Sequence, residues 1–351
     1  MLRKALGSTG LKVSMIGAGT APLGGALVSD EAAVETIRRW LEHGVNYIDS
    51  SPNYGDGEAE RKLGLALANV PRDSYVLQSK CGDEGPQNGG HSPFSREGVV
   101  ASCKHSLQVM GVPYLDALLL HDPYKDELET FLQEGGGMEG VRELRDLGLI
   151  RHFGLGCREH APHIALSQAL GAEFQISICV DDNNLLRRYM DQEGLRSTLR
   201  EADVAIVTAG VLYRGLLTDA PNIYGTDIFA EAHPELINLA TSMAEFAKDK
   251  GRPLFDFAVS DTVSSTVMSS SIFGCTSAAQ VDGVVAAALN PVPLEVMDEF
   301  ADKFAEHVER LVPQEHFFWF KTQQAHNVEW PEMAVYPRKI WGHALNDTNT
   351  P

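Results

Sequence analysis

Three segments of the sequence decide its fold: GVNYIDSSPNYG at residues 44–55, VLQSKCG at 76–82 and LLLHDP at 118–123. Each contains a short β-prone run that ends in a polar side chain, and these side chains are Asp49, Lys80 and His121. They are spaced 31 and 41 positions apart, about the length of one strand and one helix with their loops. The spacing predicts consecutive parallel strands whose polar ends lie at one face of the sheet.

The same alternation of strand and helix continues along most of the chain. Eight segments, most of them rich in Val, Ile and Leu, predict strands: Val13–Gly17, Asn46–Asp49, Tyr75–Lys80, Leu115–Leu120, His152–Gly156, Phe174–Ile178, Val204–Ala209 and Ser271–Gly274. Amphipathic stretches between them predict helices, including one capped at Ser29 or Asp30 and one that follows Ser95. Eight strand–helix units favour an α/β fold, a closed (β/α)8 TIM barrel, over an open sheet.

We expect one barrel domain followed by an extension. Prolines and glycines are not concentrated in a linker, and the last predicted helix ends at Leu311, so residues 1–311 are assigned to a catalytic barrel. Residues 312–351 contain Trp319, Trp330 and Trp341 and are expected to form an aromatic-rich C-terminal extension that packs on the barrel.

Composition and charge disfavour several classes of partner. The chain has 351 residues, 44% of them hydrophobic, as in globular proteins with a sizeable core. Its net charge of −19 disfavours nucleic acid and anionic lipid as partners. It contains neither an apolar run of about 20 residues nor a signal-peptide core, so we expect no membrane association and a cytoplasmic location. Nothing in the pattern indicates an oligomeric state.

Cysteine and histidine spacing does not predict a metal centre. The five cysteines include no C-x-x-C pair, which disfavours a zinc site and a disulfide framework. His160 and His163 begin a predicted helix, but no third ligand follows at a suitable spacing. We therefore expect no metal and interpret both histidines as solvated residues at a helix start.

Tyr54, in the loop after Asp49, completes a set suited to proton transfer. The ordinary pKa of a phenol is about 10, too high for ready proton exchange near neutrality. A neighbouring lysine ammonium stabilises the phenolate and is expected to lower that pKa, while an aspartate keeps the lysine charged and oriented. A histidine can hold the reacting oxygen near the phenol by hydrogen bonding. The set predicts a proton donor or acceptor at a carbonyl or alcohol.

The sequence resembles the aldo-keto reductase superfamily through these motifs and through RKALGSTGLKVS at 3–14 and APLG at 21–24. Within it, KCG at 80–82 and GLL at 215–217 resemble the aldose and L-galactose dehydrogenases. The resemblance implies hydride transfer between a nicotinamide cofactor and a sugar-like aldehyde, lactol or alcohol. It assigns Tyr54 as the general acid/base, with three residues that tune and orient it: Asp49, Lys80 and His121. We expect the substrate to lie against three side chains: Tyr54, His121 and Trp319.

The cofactor is expected to lie across the turns after the first, seventh and eighth strands, where a helix N-terminus offers N–H groups to phosphate. The predicted cofactor contacts are Gly19, Thr20, Asp49, Gln175, Gly210, Leu212, Arg214, Gly215, Leu217, Gly274, Thr276, Ser277 and Gln280. NADP-preferring relatives usually carry a basic residue near Thr276, where this chain has neutral residues followed by Asp282. This difference favours NAD over NADP.

Three departures from the family pattern leave a second hypothesis open. Asn183 stands where a nicotinamide-stacking aromatic is expected, Val284 replaces a common asparagine, and Gly156-Cys157-Arg158 replaces a Ser-Asn pair. The alternative is a catalytically weak, nucleotide-binding regulatory or structural protein with the same barrel. The intact set of four polar residues argues against it.

Overall fold

Eight parallel strands form a closed ring in the computed structural model of the chain, which describes residues 1–181, 183–186, 190, 194–218 and 234–311. An antiparallel pair, β1 (Arg3–Ala5) and β2 (Lys12–Ser14), precedes the barrel. The barrel strands are β3 (Ile16–Gly19), β4 (Tyr47–Asp49), β5 (Val76–Cys81), β6 (Leu115–His121), β7 (Ile150–Cys157), β8 (Ile176–Val180), β9 (Ala205–Ala209) and β10 (Ser270–Gly274). Each pairs with the next, and β10 pairs with both β9 and β3. The predicted (β/α)8 barrel is confirmed.

Helices surround this ring. In chain order they are α1 (Asp30–Glu42), α2 (Glu58–Leu67), α3 (Arg96–Met110), α4 (Lys125–Leu132), α5 (Gly137–Asp146), α6 (His160–Leu170), α7 (Leu195–Glu201), α8 (Pro234–Asp249), α9 (Leu254–Val263), α10 (Ala278–Leu289) and α11 (Leu294–Leu311). The Ser29 hydroxyl accepts from the Ala32 N–H at the start of α1, and Ser95 caps α3 in the same way. Of the two predicted cap positions for α1, Ser29 is the cap, and α3 follows Ser95 as predicted. No helix in the described residues is long and apolar enough to cross a membrane.

Three predicted strands had wrong boundaries, and one of them, His152–Gly156, is longer in the structure because β7 runs from Ile150 to Cys157. The first predicted strand, Val13–Gly17, covers the end of β2 and the start of β3, because the chain leaves the antiparallel pair before it enters the barrel. The sixth begins at Ile176 rather than Phe174, since the Phe174 N–H closes a turn with the Gly171 carbonyl. The expected extension at 312–351 lies outside the described residues.

Alternating side chains divide the core into an inner and an outer part. On β6, Leu118 packs with residues of the surrounding helices, whereas Leu119 packs inside the barrel. Leu6 and Val13, next to and within the antiparallel pair, join the inner cluster and are fully buried. The interior is therefore packed, which leaves the carboxyl ends of the strands for a binding site.

Replacement of Leu119 by alanine tests the packing of the barrel interior. Leu119 is fully buried, and a Cβ on Gly154 would lie 2.7 Å from its Cδ2 atom. We expect Leu119→Ala to lower the free energy of unfolding by about 2–5 kcal/mol, measured by urea denaturation. Leu65→Ala is the control, because Leu65 is 46% exposed on α2 and should change stability by no more than about 0.5 kcal/mol. Equal losses in the two variants would contradict this account.

Candidate active site

A cavity of about 850 Å³ opens at the carboxyl ends of the barrel strands. Its size is that of a small-molecule site. Every barrel strand contributes at least one residue to its lining: Gly19, Asp49, Lys80, His121, Gly156, Ile178, Val180, Ala209, Ile272, Phe273 and Gly274. Tyr54 also lines it, so all four predicted catalytic residues meet in one place.

A buried ion pair forms the centre of the site. The Lys80 ammonium donates to the two carboxylate oxygens of Asp49 at 2.8 and 2.9 Å and to the Ser50 carbonyl at 2.7 Å. The Gln78 amide donates to the same carboxylate at 2.8 Å. Burial by itself lowers the pKa of Lys80, but Asp49 and Tyr54 outweigh it and hold that pKa above its ordinary value. Lys80 is therefore a fixed positive charge.

Tyr54 lies against this charge. The Lys80 Nζ atom is 4.7 Å from the centre of the Tyr54 ring. The backbone at Tyr54 is fixed because Gly24 packs against it, and a Cβ on Gly24 would lie 2.7 Å from the Tyr54 carbonyl oxygen. Gly55, with φ of +60°, makes the turn that permits this approach.

The protonation of Tyr54 differs from the sequence-based expectation. Its side chain is only partly exposed, toward the cavity, and burial raises the pKa of the phenol. Lys80 lowers the pKa, as expected, but Asp49 acts against it, and the net pKa lies above the ordinary value. The expectation of a net decrease was wrong because the sequence does not show how much water the surrounding protein removes.

His121 is held by a carboxylate that the sequence analysis missed. Its Nδ1 atom lies 2.6 Å from Oδ2 of Asp83, two residues after β5. Its Nε2 atom is 3.9 Å from Oδ2 of Asp122. The His121 and Tyr54 rings meet edge to face, with centres 6.0 Å apart. His121 therefore has one nitrogen on a buried carboxylate and the other beside a second carboxylate.

Arg158 forms a second charged group in the cavity that was not predicted as a site residue. It bonds to Asp122 at 3.2 Å and to Asp181 at 3.4 Å. The two aspartates follow β6 and β8 with φ of +39° and +58°, a conformation that aspartate tolerates better than most residues. Gly210 makes room for Asp181, because a Cβ there would lie 1.9 Å from Asp181 Oδ1. The sequence signal that could have identified Arg158 as a site residue is its position directly after a barrel strand, β7.

The structure places most, but not all, of the predicted cofactor contacts at the cavity. Those that line it are Gly19, Asp49, Gly210, Leu212, Gly215, Gly274, Thr276 and Gln280. Thr20 is buried and bonds to Ser50, Leu217 packs in the core beside α8 and α9, and Ser277 caps α10. These three residues do not line the cavity, because a loop turns some of its side chains inward, and their contact with the cofactor stays a prediction.

Gln175 also lies away from the cavity, although it was predicted as a cofactor contact. It precedes β8 at the amino end of the barrel, opposite the cavity, and its Oε1 atom lies 3.0 Å from Nδ1 of His152. Gln175 was already near the start of the predicted strand Phe174–Ile178, and its assignment came from the family resemblance rather than from its position. Two further predicted contacts, the side chain of Arg214 and Trp319, lie outside the described parts of the chain.

Two of the residues that left the second functional hypothesis open lie in different places relative to the cavity. Val284 lines the cavity, whereas Asn183 is buried and does not.

His160 and His163 are 4% and 1% exposed, so the expectation of solvated residues was wrong. His163 bonds to Ser177 at 2.8 Å because the first turn of α6 packs on the barrel. Within the described residues, no group of three His, Cys, Asp or Glu side chains could hold a metal ion.

Comparison with known proteins shows the family. The model of the aldo/keto reductase family matches residues 15–304. The L-galactose dehydrogenase of Arabidopsis thaliana is 30% identical, with 90% of this chain and 96% of that protein covered. The pyridoxal 4-dehydrogenase of Microbacterium luteolum is 30% identical over 80% of this chain and 90% of its own, and the D-threo-aldose 1-dehydrogenase of Pseudomonas sp. is 26% identical over 88% and 98%.

A solved structure shows the same fold. The aldo-keto reductase from Bacillus halodurans, in its holo form, superposes with a TM-score of 0.71 at 23% identity and covers 86% of this chain and 96% of its own. The family and its dehydrogenases imply a nicotinamide cofactor, NAD or NADP, and small carbonyl or sugar substrates. The chain therefore belongs to the aldo/keto reductase family and is an NAD(P)-dependent oxidoreductase.

Proposed function

We propose that the protein is an NAD-preferring dehydrogenase that acts at C1 of a sugar lactol, with Tyr54 as the general acid/base. The observation that carries the proposal is the contact of the fixed Lys80 charge with the Tyr54 ring at 4.7 Å inside a cavity formed by all eight strands. The names of the aldose and L-galactose dehydrogenases among the relatives support a sugar substrate.

The residues around the cavity fit a nicotinamide dinucleotide. A Cβ on Gly274 would lie 2.6 Å from Pro22, and one on Gly19 would lie 2.7 Å from Ile272, so glycine lets these walls approach closely. Thr276 and Gln280, at the N-terminal end of the 12-residue helix α10, line the cavity and can hold phosphate. When bound, the nicotinamide supplies the hydride acceptor or donor.

Tyr54 and its neighbours handle the proton. During oxidation the Tyr54 phenolate accepts the proton of the lactol hydroxyl, and during reduction the phenol returns it. Lys80 stabilises the phenolate, and Asp49 keeps the lysine charged and oriented. His121 donates a hydrogen bond to the oxygen of C1. These contacts favour the charge that develops on the oxygen as the proton moves.

The polar side of the cavity suits a substrate with many hydroxyl groups. Asn53, Asp122 and Asp181 line it beside His121. Carboxylates accept hydrogen bonds from sugar hydroxyls, and the Asn53 amide can accept or donate. Arg158 already neutralises part of the charge of the two aspartates. We propose that these groups bind the hydroxyls around C1.

A panel of substrates tests this function against the alternative. The probes are L-galactose, D-threo-aldoses and pyridoxal with NAD⁺ and NADP⁺, and turnover is followed by the absorbance of the reduced nicotinamide. We expect turnover of an aldose. Quenching or a shift of reduced-nicotinamide fluorescence on binding, without turnover of any probe, would support the regulatory or structural hypothesis instead.

Removal of the Tyr54 hydroxyl tests the acid/base assignment. We expect Tyr54→Phe to lower kcat by about 10²–10⁴-fold, because a general acid/base contributes that much. The affinity for reduced nicotinamide, measured by fluorescence, should change little. Tyr114→Phe is the matched control, since Tyr114 stacks between Arg72 and Arg151 away from the cavity. Activity of Tyr54→Phe within a few-fold of the unmodified protein would contradict the assignment.

Replacement of Lys80 tests how the phenol is tuned. Burial raises the pKa of Tyr54 and Lys80 lowers it, so removal of Lys80 raises that pKa further. The basic limb of the pH–rate profile for carbonyl reduction, which needs the protonated phenol, should move to higher pH in Lys80→Met, with a lower maximal rate. Lys4→Met, remote from the cavity, is the control. An unmoved limb at a normal rate would show that Lys80 has only a structural role.

Cofactor preference depends on the residues at the start of α10. Thr276 and Ser277 carry no charge, and Asp282 already bonds to Arg39 and His43, which lower its pKa to about 2. NAD is therefore favoured because Thr276 and Ser277 offer no cation to the 2′-phosphate of NADP, rather than because Asp282 repels that phosphate.

We expect a higher kcat/KM with NAD⁺ than with NADP⁺ in the unmodified protein. Thr276→Arg should shift the ratio toward NADP⁺ by about tenfold or more, because a hydrogen bond between charged groups contributes roughly 1.5–3 kcal/mol. Thr241→Arg, exposed on α8, adds the same charge elsewhere and should leave the ratio unchanged. A measured preference for NADP⁺ that Thr276→Arg does not alter would refute the argument.

A further inference from the structure

We propose that Asp83 is a positioning residue that fixes a proton on Nδ1 of His121, so that His121 donates from Nε2 to the reacting oxygen only as an imidazolium. The inference rests on the proposed function, in which His121 donates to the oxygen of C1. It assigns a role to the loop after β5, between the strand and the short turn at Pro86–Asn88.

Both carboxylate oxygens of Asp83 form hydrogen bonds with residues at the site. Oδ2 lies 2.6 Å from His121 Nδ1 and 3.4 Å from the Ser51 hydroxyl. Oδ1 accepts from the side-chain amide of Asn53 at 3.1 Å. Asp83 itself is 2% exposed, so water does not compete for these bonds. One buried carboxylate therefore orients two side chains that line the cavity, His121 and Asn53.

The loop prevents Asp83 from turning away. Its backbone carbonyl accepts from the Asn88 side chain at 2.8 Å and from the Gln87 side chain at 3.1 Å, and both side chains are buried. Gly82 precedes it with φ of +100°, and a Cβ there would lie 2.9 Å from Phe94. The carboxylate is therefore held in place before a substrate arrives.

The chemistry of the pair fixes the proton. An ionised carboxylate offers only acceptors, so the His121 Nδ1 atom that faces Asp83 must carry hydrogen. A neutral imidazole then has a lone pair on Nε2 and cannot donate from it, whereas the imidazolium donates from both nitrogens. The oxygen of C1 gives its proton to Tyr54 and needs a donor as its second partner. His121 supplies that donor only when it is charged.

Other charged groups around the ring belong to the same cavity. Asp122 lies 3.9 Å from Nε2 and attracts a positive imidazole. The remaining titratable or charged side chains that line the cavity with His121 are Asp49, Tyr54, Lys80, Arg158, Asp181 and Cys275. Lys80 is paired with Asp49, and Arg158 is paired with Asp122 and Asp181. Asp83 is the carboxylate in direct hydrogen-bond contact with His121 among the described residues.

Asp83→Asn reverses the direction of the bond with little change in shape. If the amide oxygen keeps its bond to the Asn53 amide, the new NH2 group faces His121 Nδ1 and donates to it. A neutral His121 then carries its proton on Nε2. The variant can donate to the reacting oxygen without a positive charge, so its rate no longer depends on the protonation of His121.

Two measurements follow from this reversal. In the unmodified protein, ¹⁵N NMR of the histidine rings should show that neutral His121 carries its proton on Nδ1. kcat/KM should fall as the pH rises and His121 loses its Nε2 proton. In Asp83→Asn the proton should lie on Nε2, and this fall in the pH profile should disappear. Near neutral pH, kcat/KM of the variant should be about tenfold lower, because a neutral donor replaces a charged one.

Asp116→Asn is the matched control. Asp116 is also 2% exposed, but it bonds to Arg72, Arg151 and the Leu77 N–H away from the cavity. This variant should lose stability and keep both the His121 tautomer and the shape of the pH profile. Asn53→Ala removes the hydrogen bond to Asp83 Oδ1, and the His121 proton should stay on Nδ1.

The spectrum of the unmodified protein decides the inference even if a variant does not fold. A neutral His121 with its proton on Nε2 would overturn it, as would an Asp83→Asn variant that keeps the fall in its pH profile. Failure of the proposed function is distinguishable, because a protein that turns over no substrate in the panel still reports the tautomer of His121.

Discussion

The buried ammonium of Lys80 is the constraint on which the site depends. A charge that is 3% exposed is stable only when hydrogen-bond acceptors surround it, and here the two oxygens of Asp49 and the carbonyl of Ser50 do so. The Tyr47 hydroxyl donates to Gln78, and Gln78 donates to Asp49, so adjacent strands are tied to the same pair. Removal of either partner would leave an uncompensated charge, which typically costs about 3–5 kcal/mol.

Two electrostatic systems flank the place where a substrate oxygen would lie. One, built from Asp49 and Lys80, stabilises the phenolate of Tyr54 against the effect of burial. The other is the Asp83–His121 pair, with Asp122 beside it. Both combine a cation or potential cation with a carboxylate, and this keeps the charges in a low-dielectric site. We infer that proton transfer and oxygen binding are controlled by separate carboxylates.

Close backbone contacts hold these systems in register. Gly24 and Gly55 allow the loop after β3 to lie on the loop that carries Tyr54, since side chains there would overlap. Lys62, which is 4% exposed on α2, donates to the carbonyls of Leu23 and Val28 at 2.8 and 2.7 Å. The buried Lys62 ammonium thus supplies hydrogen bonds to loop carbonyls, whose partners in a helix or sheet would be backbone N–H groups. The rim of the cavity is fixed by packing rather than by the substrate.

The sequence by itself determined the fold and which four polar residues meet at the cavity. Polar residues at the ends of successive β-prone runs fall at one face of a parallel barrel, and this rule placed Asp49, Lys80 and His121 correctly. Gln175, which was assigned from the family resemblance rather than by this rule, lies next to the amino end of β8 and away from the cavity.

Only the tertiary structure decided the partners and the electrostatics. Asp83 and His121 are 38 positions apart, and nothing in an ordinary aspartate in a loop shows that it will bond to a particular histidine. Arg158, Asp122 and Asp181 are likewise joined by the parallel pairing of β6, β7 and β8, which brings the carboxyl ends of these strands together. The direction of the Tyr54 pKa depends on how much water the packed protein excludes. That exclusion depends on the whole fold, because the groups that remove the water come from many separate segments of the chain.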